Sequence, residues 1–208
     1  MARTKTSKAW MHEHVTDPFV RRAKQEGYRS RAAYKLLEIL ERDKLVRPGM
    51  TVVDLGAAPG GWSQVLAPLV GEKGRVIALD VLEMAPISHV TFLRGDFTAD
   101  EAPARLDEAL AGRAVDLVVS DMAPNISGVG MVDQARAIHL AELALDFAAA
   151  RLKPGGNLLV KVFQGSGLDE YRRQLGNAFQ TVVVRKPKAS RDRSSELFLL
   201  AKGRKAAG

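Results

Sequence analysis

The sequence predicts an α/β fold, a doubly wound and mostly parallel sheet with helices on both faces and one antiparallel strand. Three observations lead there. Short β-branched apolar runs alternate with longer amphipathic stretches; the runs are near-continuously apolar, as strands buried on both faces must be; and the last two strands are joined without room for a helix, so they pair as antiparallel neighbours.

The chain of 208 residues reads as one domain overall, with a basic N-terminal arm and short helix over 1–30 and the main domain over 31–208. Residues up to about 16 are expected to form a flexible arm. Asp17 can cap, and Pro18 can open, a helix that ends near Gly27. Ser30 is placed to cap a second helix whose stripe is Ala33, Tyr34, Leu37 and Leu40. The turn at 45–49 leads into strand one, Met50 to Val53. Asp54 to Ser63 then forms a glycine-rich turn before a helix carrying Val65, Leu66 and Leu69 on one face.

Strands two and three are expected at 75–80 and 90–93, a helix at 100–110 and strand four at 115–120. A long helix over 135–152 should stop at Lys153-Pro154-Gly155-Gly156. Strand five follows at 157–163, a helix at 168–175, strand six at 181–184 and the last strand at 194–201. There is no internal repeat.

Composition narrows the function. No apolar run approaches the ~20 residues of a membrane span, and the polar start lacks a signal-type apolar region. Without cysteine there are no disulfides or thiolate metal sites, which fits the cytoplasm, and His12, His14, His89 and His139 lack a metal-site arrangement, so no metal is expected. The net charge is +7 and unevenly spread: residues 1–35 hold nine basic and three acidic side chains, and residues 185–208 hold eight and two, around an acidic centre. Two basic ends converging on one face would make an electrostatic footprint for a polyanion, nucleic acid first.

The glycine turn sits between strand and helix, where backbone lacking Cβ atoms and free helical N–H groups can cradle a ligand. Its glycines, at 56, 60 and 61, do not follow the G-x-G-x-x-G spacing, which argues against a nicotinamide enzyme. In open sheets of this kind ligands bind beyond the carboxyl ends of the strands. Asp80 closes strand two, 20 residues after Gly60, at a spacing suited to a ribose diol; Asp96 follows strand three and Asp121 closes strand four. With the glycine turn, the three acids point to an adenosine-containing ligand. Lys161 and Glu196 are charges inside buried strands, which are rare unless paired. If the last strand inserts beside strand five they can face each other; a purely structural ion pair is the plainer reading.

With these residues in hand, the chain resembles the FtsJ/RrmJ family of bacterial S-adenosylmethionine-dependent ribosomal RNA methyltransferases over nearly its whole length. The stretches that carry the resemblance are Val52 to Gln64, Ser120 to Asn125, Val160 to Gly165, and Val184 to Pro187 with Ser190-Arg191 and Ser194-Ser195-Glu196. The resemblance implies a Rossmann-like class I methyltransferase fold with a seven-stranded sheet. It also implies a catalytic set of Lys35, Asp121, Lys161 and Glu196, and cofactor contacts from Gly60, Trp62, Asp80, Asp96 and Asp121. The implied reaction moves a methyl group from S-adenosyl-L-methionine to the ribose 2′-oxygen of a uridine in 23S rRNA of the large ribosomal subunit. The rRNA would be held through the basic N- and C-terminal segments, by a cytoplasmic monomer without metal or membrane attachment.

Under that reading Lys161 acts as general base, with burial and Lys35 favouring its neutral amine and Asp121 and Glu196 its ammonium. Glu196 orients Lys161 or Lys35, Asp121 positions Lys161 and the cofactor, and Lys35 holds the target ribose or polarises its oxygen; catalysis chiefly by alignment, with Lys161 remaining protonated, is the competing mechanism. Trp62, Tyr34 and Phe163 are either pocket or core residues. Three alternatives stand beside it: a non-catalytic ribosome-assembly factor, a transfer-RNA methyltransferase and a messenger-cap methyltransferase. A base methylator fits less well, since Asp121-Met122-Ala123-Pro124 is not of the Asn-Pro-Pro-Tyr type.

Overall fold

The structure, a computed structural model, describes residues 17–125, 127–191 and 194–206. The expected arm up to residue 16 lies outside the described residues. The elements are α1 (Pro18–Gln25), α2 (Ala32–Asp43), β1 (Thr51–Leu55), α3 (Gly61–Val70), β2 (Arg75–Asp80), β3 (Val90–Arg94), α4 (Ala102–Leu110), β4 (Val115–Ser120), α5 (Gly130–Arg151), β5 (Leu152–Phe163), α6 (Leu168–Ala178), β6 (Phe179–Arg185) and β7 (Glu196–Arg204).

The seven strands lie in the order β3-β2-β1-β4-β5-β7-β6. All pairings are parallel except those of β7, which runs antiparallel between β5 and β6. The chain winds outward from β1 through β2 to β3, then returns to the other side of β1 as β4. Between β1 and β4 the order reverses, and a crevice opens at the carboxyl ends of the strands.

Two cores clothe the sheet. On one face α2 and α3 bring Ala33, Leu36, Ile39, Trp62 and Leu66 against Val52, Leu117, Leu159 and Phe198. On the other, α4, α5 and α6 bring Leu106, Ala144, Phe147 and Tyr171 against Val53, Ile77, Val118 and Val160. Alternate residues of each central strand serve opposite cores, which explains the near-continuous apolar runs. Burial of the central strands is close to total; β3, at the edge, is half exposed.

Several boundaries differ from expectation. Asp17 caps α1 through Oδ1, which accepts from the Phe19 amide at 2.9 Å, but Arg31 and not Ser30 stands at the start of α2, with no side-chain cap. The stripe of α2 adds Leu36 and Ile39, while Leu69 of α3 is exposed and Trp62 and Val70 take the buried positions. Helix α5 gives way to β5 at Leu152 without a loop, and the Lys153–Gly156 signal is absorbed as a register shift where β5 joins β4. Asn157 then settles the strand, its Oδ1 accepting from the Gly203 amide.

The basic C-terminal residues do not gather at one end. Because β7 is antiparallel, Lys202, Arg204 and Lys205 lie at the amino ends of the parallel strands, level with the start of β6. There Arg204 donates to the Ala149 carbonyl of α5, and Lys205 to the Gly176 and Asn177 carbonyls of α6, quenching helix C-termini. Among the described C-terminal basic residues, Arg191 borders a cleft beside Glu196.

Asp43, at the end of α2, ties that helix to the sheet edge, accepting two bonds from Arg185 and one from Lys202 at 2.7–2.8 Å. Arg185 and Lys202 hold its carboxyl down at about 2 against an ordinary 3.8. Its folded value is depressed, so the stabilisation, about 2 kcal/mol, is fully present above pH ~3.8 and is lost as pH falls through about 2. Asp43→Asn should lose that amount at neutral pH in urea titrations, with the gap closing on acidification; a gap independent of pH would contradict the assignment.

Candidate active site

The carboxyl ends of β1, β2 and β4 enclose a cavity of about 430 Å³ bordered by Gly56, Asp80, Asp96, Asp121, Met122 and Leu140, among others. Asp80 braces its floor. Its Oδ2 accepts from the Ala58 amide at 2.9 Å and its Oδ1 from the Leu82 amide at 2.8 Å, and each oxygen keeps a lone pair for a ligand. Asp96 accepts from the amide and hydroxyl of Thr98, both on Oδ1, and these bonds hold its carboxyl below the usual range.

The glycine turn needs its glycines. Gly60 has φ +107°, and a Cβ there would stand 2.8–2.9 Å from Ile87, Arg29 and Met84 side chains. Arg29 donates to the Ala85 and Pro86 carbonyls at 2.6 and 2.8 Å, tying the turn to the loop after β2. Gly60 and Trp62 do not line the cavity with the acids. The Trp62 side chain is buried beneath α2, donating from Nε1 to the Ala32 carbonyl at 2.8 Å and touching Phe198. Of the two readings offered for it, the structure places the side chain in the core.

Lys161 and Glu196 do not pair with each other. In the register of β5 and β7, Lys161 stands opposite Phe198 and Glu196 opposite Phe163, so both point to the α2 face but two residues apart. Each takes another partner. The Lys161 Nζ donates to the Asp121 carbonyl at 2.6 Å and lies 3.0 Å from Asp121 Oδ1. The contact with Oδ1 is ionic, since that oxygen receives no well-directed hydrogen bond. Glu196 takes Lys35 from α2, at 2.6 Å on Oε1 and 2.8 Å on Oε2, while Ser190 donates to Oε1 at 2.9 Å. Lys186 donates to the Glu196 carbonyl. Burial would push the Glu196 carboxyl up, but Lys35, Lys161 and Ser190 together hold it below its ordinary range.

The four expected catalytic side chains therefore stand as two neighbouring ion pairs, Lys161–Asp121, whose carboxylate residue lines the cavity, and Lys35–Glu196, which borders a separate cleft. Beside Lys35 a shallow basic cleft of about 210 Å³ is bordered by Arg31, Arg191, Ser194 and Glu196. Tyr34 is core, packed against Phe19 and Tyr28.

One acid went unassigned at the level of sequence. Asp54 in β1 is fully buried, with Oδ2 accepting from the Ser63 hydroxyl at 2.7 Å and Oδ1 without a partner. The signal was available: a charge inside an apolar strand is as unusual at Asp54 as at Lys161. Burial pushes its carboxyl up to about 7; Ser63 opposes the rise, and Asp121 and Asp80 add to it. The folded state thus holds a proton that the unfolded chain releases, and Asp54 subtracts stability as pH rises from about 3.8 to about 7. Asp54→Asn should shift relative unfolding free energies in the variant's favour between about pH 4 and pH 8; a constant difference would refute the shift.

A family model described as FtsJ-like methyltransferase matches residues 28–204. The chain is 64% identical to a ribosomal RNA large subunit methyltransferase E from Nitrosospira multiformis, over 99% of this chain and 100% of that one. It is 59% identical to a protein of the same name from Pseudomonas aeruginosa, over 98% of each. Among solved structures, a ribosomal RNA methyltransferase of Plasmodium falciparum superposes with a TM-score of 0.78 at 29% identity, covering 86% of this chain and 100% of that one.

Proposed function

The chain belongs to the FtsJ-like methyltransferase family, and from that premise we propose that it methylates the ribose 2′-oxygen of a uridine in 23S rRNA of the large ribosomal subunit, using S-adenosylmethionine. The observation that carries this reading is the closeness of two buried ion pairs, Lys35 with Glu196 and Lys161 with Asp121, the second of which reaches the wall of an acid-lined cavity. The names of the relatives support an RNA of the large subunit as acceptor. We read the protein as a cytoplasmic monomer.

The cavity suits the cofactor chemically. Three carboxylates complement a cation, Asp80 retains acceptor capacity for a ribose diol, Asp96 Oδ2 is open to an amine, and Gly56, with φ +75° and Met122 pressed against it, admits no side chain at the cavity border. When bound, S-adenosylmethionine supplies an electrophilic methyl group on a sulfonium.

The protein's part is alignment and proton removal. A ribose hydroxyl is a weak nucleophile until its proton begins to leave, and Lys161, once the ammonium of its ion pair has released its own proton to solvent, is the amine placed beside Asp121 to take it. The ammonium that results is met by the Asp121 carbonyl and carboxylate, already at 2.6 and 3.0 Å. Because Glu196 chelates Lys35, that second cation is held in place to engage the acceptor's sugar or phosphate. Arg31 and Arg191 border the same cleft and both face Asp17, so that with Lys35 and Glu196 three cations stand against two carboxylates and the cleft keeps a net positive charge.

Lys161→Ala should lower the single-turnover rate of methyl transfer to unmodified large subunits by about 10²- to 10⁴-fold with cofactor affinity by calorimetry unchanged. Lys161→Met, which keeps bulk without an amine, should fail equally. Retention of most of the rate by either variant would leave alignment as the whole of catalysis.

A further inference from the structure

A second cavity, of about 250 Å³, opens between the loop after β4, the first turns of α5 and the end of β5. It shares Ala123 and Pro124 with the larger cavity, and its border Ser195 adjoins Ser194 and Glu196 of the basic cleft. The three concavities are thus linked through these border residues, and their chemistries differ. One is acidic, one basic, and this one is walled by Pro124, Ala137 and Phe163, with amide groups from Gln134 and Gln164.

We propose that this second cavity receives the base of the nucleotide being methylated, turned out of its stack. The inference rests on the acceptor being a ribose hydroxyl of RNA. A nucleotide has three parts, and the site offers three matched environments: the sugar at the ion pairs, phosphate in the basic cleft and a flat π-system between apolar walls. Gln134 donates from Nε2 to the Gln164 carbonyl at 3.2 Å, which fixes its amide and keeps Oε1 as an acceptor for a base N–H. The rim is built to stay in place. Asp133 accepts from the Ser127 amide and hydroxyl at 2.7 Å and from the Gly128 amide at 3.0 Å. Val129, Met131 and Val132 nearby are exposed, Met131 by 84%, on a helix start where solvent alone would favour polar residues. Unpaired bases flanking the target would cover them.

The test uses Gly130→Leu and Gln134→Ala. Gly130 borders the cavity and a Cβ there meets nothing within 4 Å, so a larger side chain begins in open space at the cavity's edge. Single-turnover transfer to unmodified large subunits, cofactor affinity and subunit retention are measured together. Gly130→Leu should lose about tenfold or more in rate and Gln134→Ala severalfold, with cofactor affinity and subunit retention preserved. Wild-type rates in both variants would overturn the proposal. A parallel fall in cofactor affinity would reassign the cavity to the methyl donor, and lost subunit retention with normal transfer to free RNA would make it a protein-docking face. Absence of transfer by the wild-type protein to any RNA would instead defeat the underlying functional reading.

Discussion

The site depends on one carboxylate being carried into the core at the head of an antiparallel strand. Glu196 is about nine-tenths buried, and its desolvation is offset because Lys35 chelates both oxygens, Ser190 donates to one and Lys161 adds its charge from the neighbouring strand. A parallel β7 would present its last residue, not its first, at the carboxyl ends of the other strands. Insertion of β7 in the opposite sense between β5 and β6 is what sets Glu196 beside the strand that carries Lys161.

From that constraint the rest follows in steps. Lys35 must reach Glu196, so α2 has to lie across β7, and two ties keep it there: Trp62 donating to Ala32 at one end, Asp43 gripping Arg185 and Lys202 at the other. Trp62 also stands in the first turn of α3, so the position of α2 is linked to the glycine turn. With Glu196 occupied, Lys161 is left to Asp121, which stands on the wall of the larger cavity. The two lysines therefore have separate anchors, one toward the cleft and one toward the cavity.

Much of this could be read from the chain. The seven strands and the reversal at the last of them follow from apolar runs and loop lengths, and Lys161 and Glu196 stood out as charges where charges are costly; the last strand's place beside strand five was only a condition, which the structure meets. The pairing of those charges was not legible. It turns on a two-residue offset in the β5–β7 register and on where α2 crosses, and both are set by packing. Asp54 shows the reverse case, a signal present in the sequence but hidden because the glycines beside it explained the turn. The scattered fate of the C-terminal basic residues has a similar origin: a linear charge count cannot say that β7 carries its first and last residues to opposite ends of the sheet.

The claim most open to direct attack is that Lys35 and Glu196 act as one unit, separate from Lys161 and Asp121. A double-mutant cycle with Lys35→Met and Glu196→Gln, read in the single-turnover rate of methyl transfer, addresses it. If the pair is one unit, the double variant loses no more than the worse single variant. Losses that multiply would mean that the two side chains serve the reaction independently, and the division of the site into two ion pairs with distinct tasks would fall.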